Sequence, residues 1–186
     1  MNRLRWILVV AAAALLTGGA SAGQDSAPVA NPVSSTVKGQ LARFAKNMVA
    51  AADAMPAGKY AFKPTPEMST FGHLILHITL SNNLLCSKIS GVAAPEAGAD
   101  TDPKDKLVAG LKASFDFCEK SLASLDDSKL SEPMMLFGNR PSSRAGALIG
   151  LSDGWYDHYG TQAIYLRLNG ILPPTAQAPA APPPKQ

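Results

Sequence analysis

The sequence predicts an all-α domain, a four-helix bundle, for three reasons. Four segments carry apolar residues at helical spacing, Gly and Pro residues separate these segments, and no segment alternates apolar and polar residues over a convincing length. Four amphipathic helices that each bury one stripe are best satisfied by packing around a single core. We therefore expect four helices, no sheet and one domain of about 140 residues, spanning residues 34–174.

The first two helices have clear limits in the sequence. The first is expected from about residue 35 to residue 55, where Pro56 and Gly58 end it. Its apolar stripe is Val37, Leu41, Phe44, Ala45, Met48, Val49 and Ala52. The second is expected to begin after Ser69, a favourable N-cap residue, and to stop at Gly91. Its stripe is Phe71, Leu74, Ile75, Ile78, Leu84, Leu85 and Ile89.

The last two helices are delimited by similar signals. Asp102 as cap and Pro103 at the first helical position predict the start of the third helix. Its stripe is Leu107, Val108, Leu111, Phe115, Cys118, Leu122 and Leu125. Residues 126–141 are expected to form an irregular crossover. The fourth helix is expected to be capped by Ser142 or Ser143 and to run to about residue 169, where Gly170 ends it.

The first 22 residues have the three-part pattern of a secretory signal peptide. Arg3 and Arg5 make a positive start, residues 6–16 are an uninterrupted apolar run, and residues 20–22 supply small side chains before a cleavage point at Gly23. An uncleaved anchor is the alternative, but a membrane span needs about 20 apolar residues. We therefore expect an exported protein, periplasmic or secreted, with no stable membrane insertion after cleavage.

Both flanks of the domain are expected to lack packed structure. Residues 23–33 form a predicted flexible segment, and residues 175–186 a disordered tail rich in Pro and Ala, which cannot bury enough apolar surface to offset its ordering entropy. The formal net charge of +3 includes two arginines of the signal, so the processed chain is near +1. Without a basic stripe, nucleic acid is not an expected partner.

Three stretches taken in order resemble the DinB-like superfamily, particularly its exported members. They are MPAGKYAFKPTP at residues 55–66, STFGHLILH at 69–77, and DHYG at 157–160 together with YLRLNGILPP at 165–174. This resemblance implies a bundle with up-down-down-up connectivity. It also implies a divalent metal, zinc or nickel, held by one histidine of the second helix and two of the fourth. Characterised members of the family include thiol-dependent transferases, and many members have no known activity.

The chain has three histidines, and the resemblance matches two of them, His77 and His158, to metal ligands. The position of the third ligand, four residues before His158, is Gly154 here. His73 is one helical turn before His77, so these two imidazoles can share a face and chelate one ion. We therefore predict His77, His158 and His73 as ligands of a rearranged metal site, with ordinary hydrogen-bonded histidines as the alternative. Two histidines alone would bind a metal weakly unless a neighbouring aspartate or water completes the shell.

The two cysteines, Cys86 and Cys118, fall in the second and third helices. Export would place them in an oxidising compartment, where paired thiols normally form a bridge. Such a bridge would close a loop of about 30 residues and contribute about 3–4 kcal/mol in the chain-entropy model. Two buried apolar thiols are the alternative.

Three functions are compatible with these patterns. The first is an exported bundle with a reduced or rearranged histidine site that binds a small molecule or a metal. The second is a divalent-metal-dependent transferase or hydrolase, in which the ion would activate water or a thiol. The third is a dimeric interaction module, a homodimer. Export argues against the thiol-dependent transferase, since the small thiols that the family uses are chiefly cytosolic.

Overall fold

The computed structural model describes residues 28–177, and these residues form a mostly helical fold with four long helices. They are α1 (Pro32–Ala54), α2 (Phe71–Ser90), α3 (Lys104–Leu122) and α4 (Arg144–Leu168). The prediction of an all-α fold with four helices is confirmed. The predicted signal at residues 1–22 and most of the predicted tail lie outside the described residues. Within residues 28–177, no helix combines the length and the apolar character that crossing a membrane requires.

Contacts between neighbouring helices give the direction of each helix. α1 and α4 run parallel, because residues of rising number meet along both: Gln40 with Ser152, Arg43 with Tyr156, and Met48 with Gln162. α2 and α3 are also parallel, with Asn82 against Ser114 and Cys86 against Cys118. α4 is antiparallel to α2, since Trp155 meets Asn82 and Tyr165 meets Ser69. α3 is antiparallel to α1, since Lys38 meets Leu125 and Lys104 meets Asp53. The connectivity is therefore up-down-down-up.

Local capping explains most helix ends. Gly91 ends α2 with a φ of 76°, a left-handed conformation that glycine adopts without steric cost. Ser143 caps α4 by accepting from the Gly146 N–H at 3.2 Å. The cap of α2 is Thr70, one residue after the predicted Ser69. The prediction that Asp102 caps α3 is wrong, because its carboxylate instead accepts from the Ala99 N–H at 2.8 Å.

The start of α1 is fixed by a residue distant in sequence. The Asp127 carboxylate accepts from the Val33 N–H at 2.9 Å and from the Ser34 N–H at 2.8 Å. It thereby satisfies two amides that the first turn of a helix leaves without partners. α1 accordingly begins at Pro32, earlier than the local pattern predicts.

The prediction of no sheet is wrong, because the α3–α4 crossover contains a small hairpin. Strand β1 (Pro133–Leu136) pairs antiparallel with β2 (Arg140–Ser143). Each strand has only four residues, too few for an alternating pattern to show in the sequence. Gly138 and Asn139 between them have φ values of 63° and 58°, which glycine and asparagine tolerate best and which turn the chain.

One core holds the four helices together, and its largest fully buried side chains come from every helix. They include Met48, Phe71, Ile75, Phe115, Leu122, Leu148, Trp155 and Tyr165. Cys86 and Cys118 join α2 to α3 at disulfide distance, with Cα atoms 5.2 Å apart, within the range that a bridge requires. Beyond α4, Pro174–Ala176 form a short 3-10 turn, and Tyr159 accepts from the Thr175 N–H at 3.1 Å. The first residues of the predicted tail are therefore packed against α4.

Candidate small-molecule cavity

A cavity of about 280 Å³ lies between α2, α4 and the turn of the hairpin. Most of its wall is apolar, from aliphatic and aromatic side chains and from two glycines of α4. The lining residues are His77, Ser81, Asn82, Leu85, Phe137, Gly150, Leu151, Gly154, Trp155 and His158. Ligand pockets usually measure about 300–1,000 Å³, so this cavity lies just below that range and suits only a small ligand.

Two of the three predicted ligand histidines meet in this cavity. The ring centroids of His77 and His158 lie 4.9 Å apart, and the ring planes are nearly perpendicular at 83°. His77 comes from α2 and His158 from α4, so the contact depends on the antiparallel packing of these helices. His77 is exposed, whereas the His158 side chain is only 16 % exposed.

The surroundings of His158 favour its neutral form. Burial lowers the pKa of His158 below its usual value, because the charged imidazolium is poorly solvated there, and the neighbouring His77 lowers this pKa further. Asp157 opposes both effects. Its Oδ2 lies 3.3 Å from His158 Nδ1 and favours a proton on that nitrogen. His158 Nε2 then remains as a hydrogen-bond acceptor on the side of Gly154.

Gly154 determines how many metal-ligating side chains the cavity offers. A Cβ atom at this position would lie 3.8 Å from His158 Nε2, an ordinary van der Waals distance. A side chain here would therefore stand beside the imidazoles, and glycine supplies none. Among residues 28–177, no three His, Cys, Asp or Glu side chains form a group that could hold a metal. A catalytic zinc site needs three protein ligands, so these two imidazoles do not fit one.

The contacts of His73 differ from those of the other two histidines. Its Nδ1 is 2.9 Å from Asp100 Oδ2, in the loop between α2 and α3, and His73 does not line the cavity. The spacing of His73 and His77 was correct for a shared helix face, but the loop supplies His73 with a different partner. The metal-ligand role predicted for His77, His158 and His73 stays a prediction.

Sequence reasoning missed the groups that shape the cavity wall. Asn82 Oδ1 accepts from Trp155 Nε1 at 2.8 Å, and Asn82 Nδ2 donates to Ser114 Oγ at 3.0 Å. These bonds hold the indole of Trp155 in place and use one acceptor and one donor position of the Asn82 amide. Phe137 reaches the cavity from the hairpin turn, and its sequence neighbourhood gave no sign of this.

Comparison with known proteins gives the family of the chain. The family model described as DinB superfamily matches residues 40–152. The chain belongs to the DinB superfamily. Members of this superfamily often bind divalent metals, and the match spans α2, which carries His77, but ends before His158.

Solved structures show the same fold at low sequence identity. A DinB-like protein from Bacillus cereus is 16% identical with a TM-score of 0.64, over 75% of this chain and 95% of that chain. A DinB-like protein from Bacillus subtilis, YjoA, is 20% identical with a TM-score of 0.60, over 73% and 92%. A mutant of the mycothiol-dependent maleylpyruvate isomerase is 13% identical with a TM-score of 0.57, over 68% and 59%. Among curated proteins, none matches the sequence.

Proposed function

We propose that this DinB superfamily protein is an exported binding protein for a small, mainly apolar molecule that carries one hydrogen-bond donor. The observation that carries the proposal is the largely buried His158 imidazole in a mainly apolar cavity, where His77, Ser81 and Asn82 are the other polar lining residues. Its Nε2 would accept from a hydroxyl or N–H of the ligand, while Trp155, Leu85 and Leu151 would pack against the apolar part. Glycine at position 154 favours ligand binding over metal-dependent catalysis, because it leaves room for a small molecule and supplies no metal-ligating side chain.

The predicted export supports this function over a thiol-dependent transferase. The proposed signal at residues 1–22 would carry the chain away from the cytosolic thiols. Cys86 and Cys118 at disulfide distance agree with an oxidising compartment. Expression of the full chain in a bacterial host, followed by mass spectrometry of the extracytoplasmic fraction, tests this step. We expect a mature chain that begins at Gly23; a full-length chain confined to the cytoplasm would contradict export.

Phenol and toluene are suitable probes of the cavity, because they have similar shapes and only phenol has a hydroxyl donor. Once Trp6 has left with the signal, Trp155 is the only tryptophan, so a single indole N–H resonance reports on the cavity. A hydrogen bond contributes about 0.5–1.5 kcal/mol net, so phenol should bind about 2- to 12-fold more tightly than toluene.

The matched variants are His158→Phe, which keeps a ring but removes the acceptor, and His73→Phe outside the cavity. We expect His158→Phe to abolish the preference for phenol and His73→Phe to retain it. The absence of any shift of the indole resonance with either probe would contradict the proposal. So would one tightly bound metal ion per chain in protein purified without a histidine tag, because that would indicate a metal centre.

A further inference from the structure

A second pocket, of about 210 Å³, lies where α2 and α3 end, and its chemistry differs from that of the histidine cavity. Three cationic side chains line it: Lys120, Lys129 and Arg144. Two serines of the α3 end, Ser121 and Ser124, add hydroxyl groups to the same lining. A concave surface that combines several cations with hydroxyl donors is suited to an anion with several oxygen atoms.

The cations of this pocket are only partly neutralised by the protein. Within residues 28–177, neither the Lys120 nor the Lys129 ammonium has a carboxylate within 4.0 Å. Arg144 Nη2 contacts Glu132 Oε2 at 2.6 Å, but the Arg144 side chain remains 21% exposed and lines the pocket. Part of the guanidinium is therefore accessible to a ligand in the pocket.

The C-terminus of α3 accounts for only one of these cations. Lys120 lies in the last turn of α3, where the helix dipole stabilises a positive charge. Lys129 and Arg144 lie outside α3, and the carbonyls of Ala123 and Leu125 just beyond its end already accept from the Lys38 ammonium at 2.9 Å and 2.5 Å.

Asp126 and Asp127 are the acids next to Lys129 in the sequence. The Asp126 carboxylate accepts from the Ser128 N–H at 2.9 Å, and the Asp127 carboxylate accepts from the N–H groups of Val33 and Ser34. Neither pairs with Lys129 within 4.0 Å, although both keep their negative charge.

From this arrangement we infer that the pocket of Lys120, Lys129 and Arg144 is a binding site for a phosphate group with at least three non-bridging oxygens. The two lysines and the Arg144 guanidinium supply charge and N–H donors, and Ser121 and Ser124 supply hydroxyl donors. Inorganic phosphate and the monoester headgroup of phosphatidic acid both present such oxygens, and the chemistry of recognition is the same. The site is separate from the histidine cavity and does not depend on the function proposed for it.

Two-dimensional NMR of the purified protein tests this inference, with inorganic phosphate as the first probe. We expect saturable shifts of the backbone amides of residues 121–125, 129 and 144. Vesicles of phosphatidic acid, compared with vesicles of phosphatidylcholine, form the second arm. Binding to free phosphate indicates a soluble ligand, and binding only to phosphatidic acid indicates a lipid headgroup; both outcomes support the site.

Variants that each remove one positive charge distinguish a specific binding site from general electrostatic attraction. Lys120→Gln and Lys129→Gln should each weaken binding by up to about fivefold, the range for exposed ion pairs. Lys112→Gln removes the same charge from the same helix but lies in a different groove, so it should leave binding unchanged. An equal loss in Lys112→Gln would overturn the inference, as would the absence of saturable shifts with either probe.

Discussion

Replacement of Gly154 by histidine tests the geometry of the His77–His158 cavity directly. If the cavity lacks a third metal-ligating side chain because position 154 is glycine, then Gly154→His should create a three-imidazole site for zinc. A Cβ atom at position 154 would lie 3.8 Å from His158 Nε2 and 3.9 Å from its Cδ2, so the new side chain has room beside the existing imidazoles. Glycine inside a helix costs about 1 kcal/mol relative to alanine, so its loss should not weaken α4.

The size of the effect follows from the number of ligands. Structural zinc sites with four ligands have apparent binding free energies of about 10–16 kcal/mol, or about 2.5–4 kcal/mol per ligand. One added imidazole should therefore tighten zinc binding by about 100-fold or more, since 1.4 kcal/mol corresponds to a factor of ten. Competition with a chelating dye, on protein purified without a histidine tag, measures this change.

The matched control is Gly160→His, which adds the same side chain to the same helix at a position with open space around it and away from the cavity. Gly160→His should bind zinc no better than the unmodified protein, and His77→Ala combined with Gly154→His should lose most of the gain. If Gly154→His and Gly160→His bind zinc equally, then the imidazoles do not converge and the reasoning about position 154 is refuted.

Three further predictions concern stability. Replacing Cys86 and Cys118 by alanine should lower the free energy of unfolding by about 3–4 kcal/mol, because a bridge between residues 32 apart no longer restricts the unfolded chain; denaturant titration measures this, and an unchanged midpoint would argue against the bridge. The pKa of His158 is lower in the folded than in the unfolded protein, so the free energy of unfolding is highest above the unfolded pKa and declines as pH falls below about 6.5. The decline should be smaller in His158→Asn, and equal declines in both proteins would contradict the lowered pKa of His158. Asn82→Ala leaves Trp155 Nε1 without its acceptor and should cost about 1–3 kcal/mol with a shifted Trp155 emission; a neutral effect would mean that water replaces the amide.

Predictions that depended on neighbouring residues were the most successful. The apolar spacing of the four segments, Gly91 after α2 and Ser143 before α4 all act within one or two turns of helix. Such signals can be read without knowing the tertiary structure. The hairpin escaped because its strands are four residues long, and the early start of α1 escaped because its capping residue, Asp127, is more than 90 residues away.

The candidate site was predictable only in part for the same reason. The match of His77 and His158 to one site, and the lack of a metal-ligating side chain at Gly154, were implied by the resemblance to the DinB-like superfamily. The contact between His73 and Asp100 could not be predicted, because Asp100 approaches His73 from a loop whose path the sequence does not specify. The contribution of Phe137 was also hidden, since it depends on where the hairpin turn lies against α2 and α4.

By itself, the sequence indicated the four helices, the two cysteines that can pair and the small number of histidines, three in all. These properties depend on residue type and on spacing along one segment. Only the tertiary structure decided that the rings of His77 and His158 meet at 4.9 Å, that His158 is buried enough to favour its neutral form, and that Lys120, Lys129 and Arg144 share a pocket. Burial and distances between separate helices arise only when the helices pack, and no local pattern encodes them.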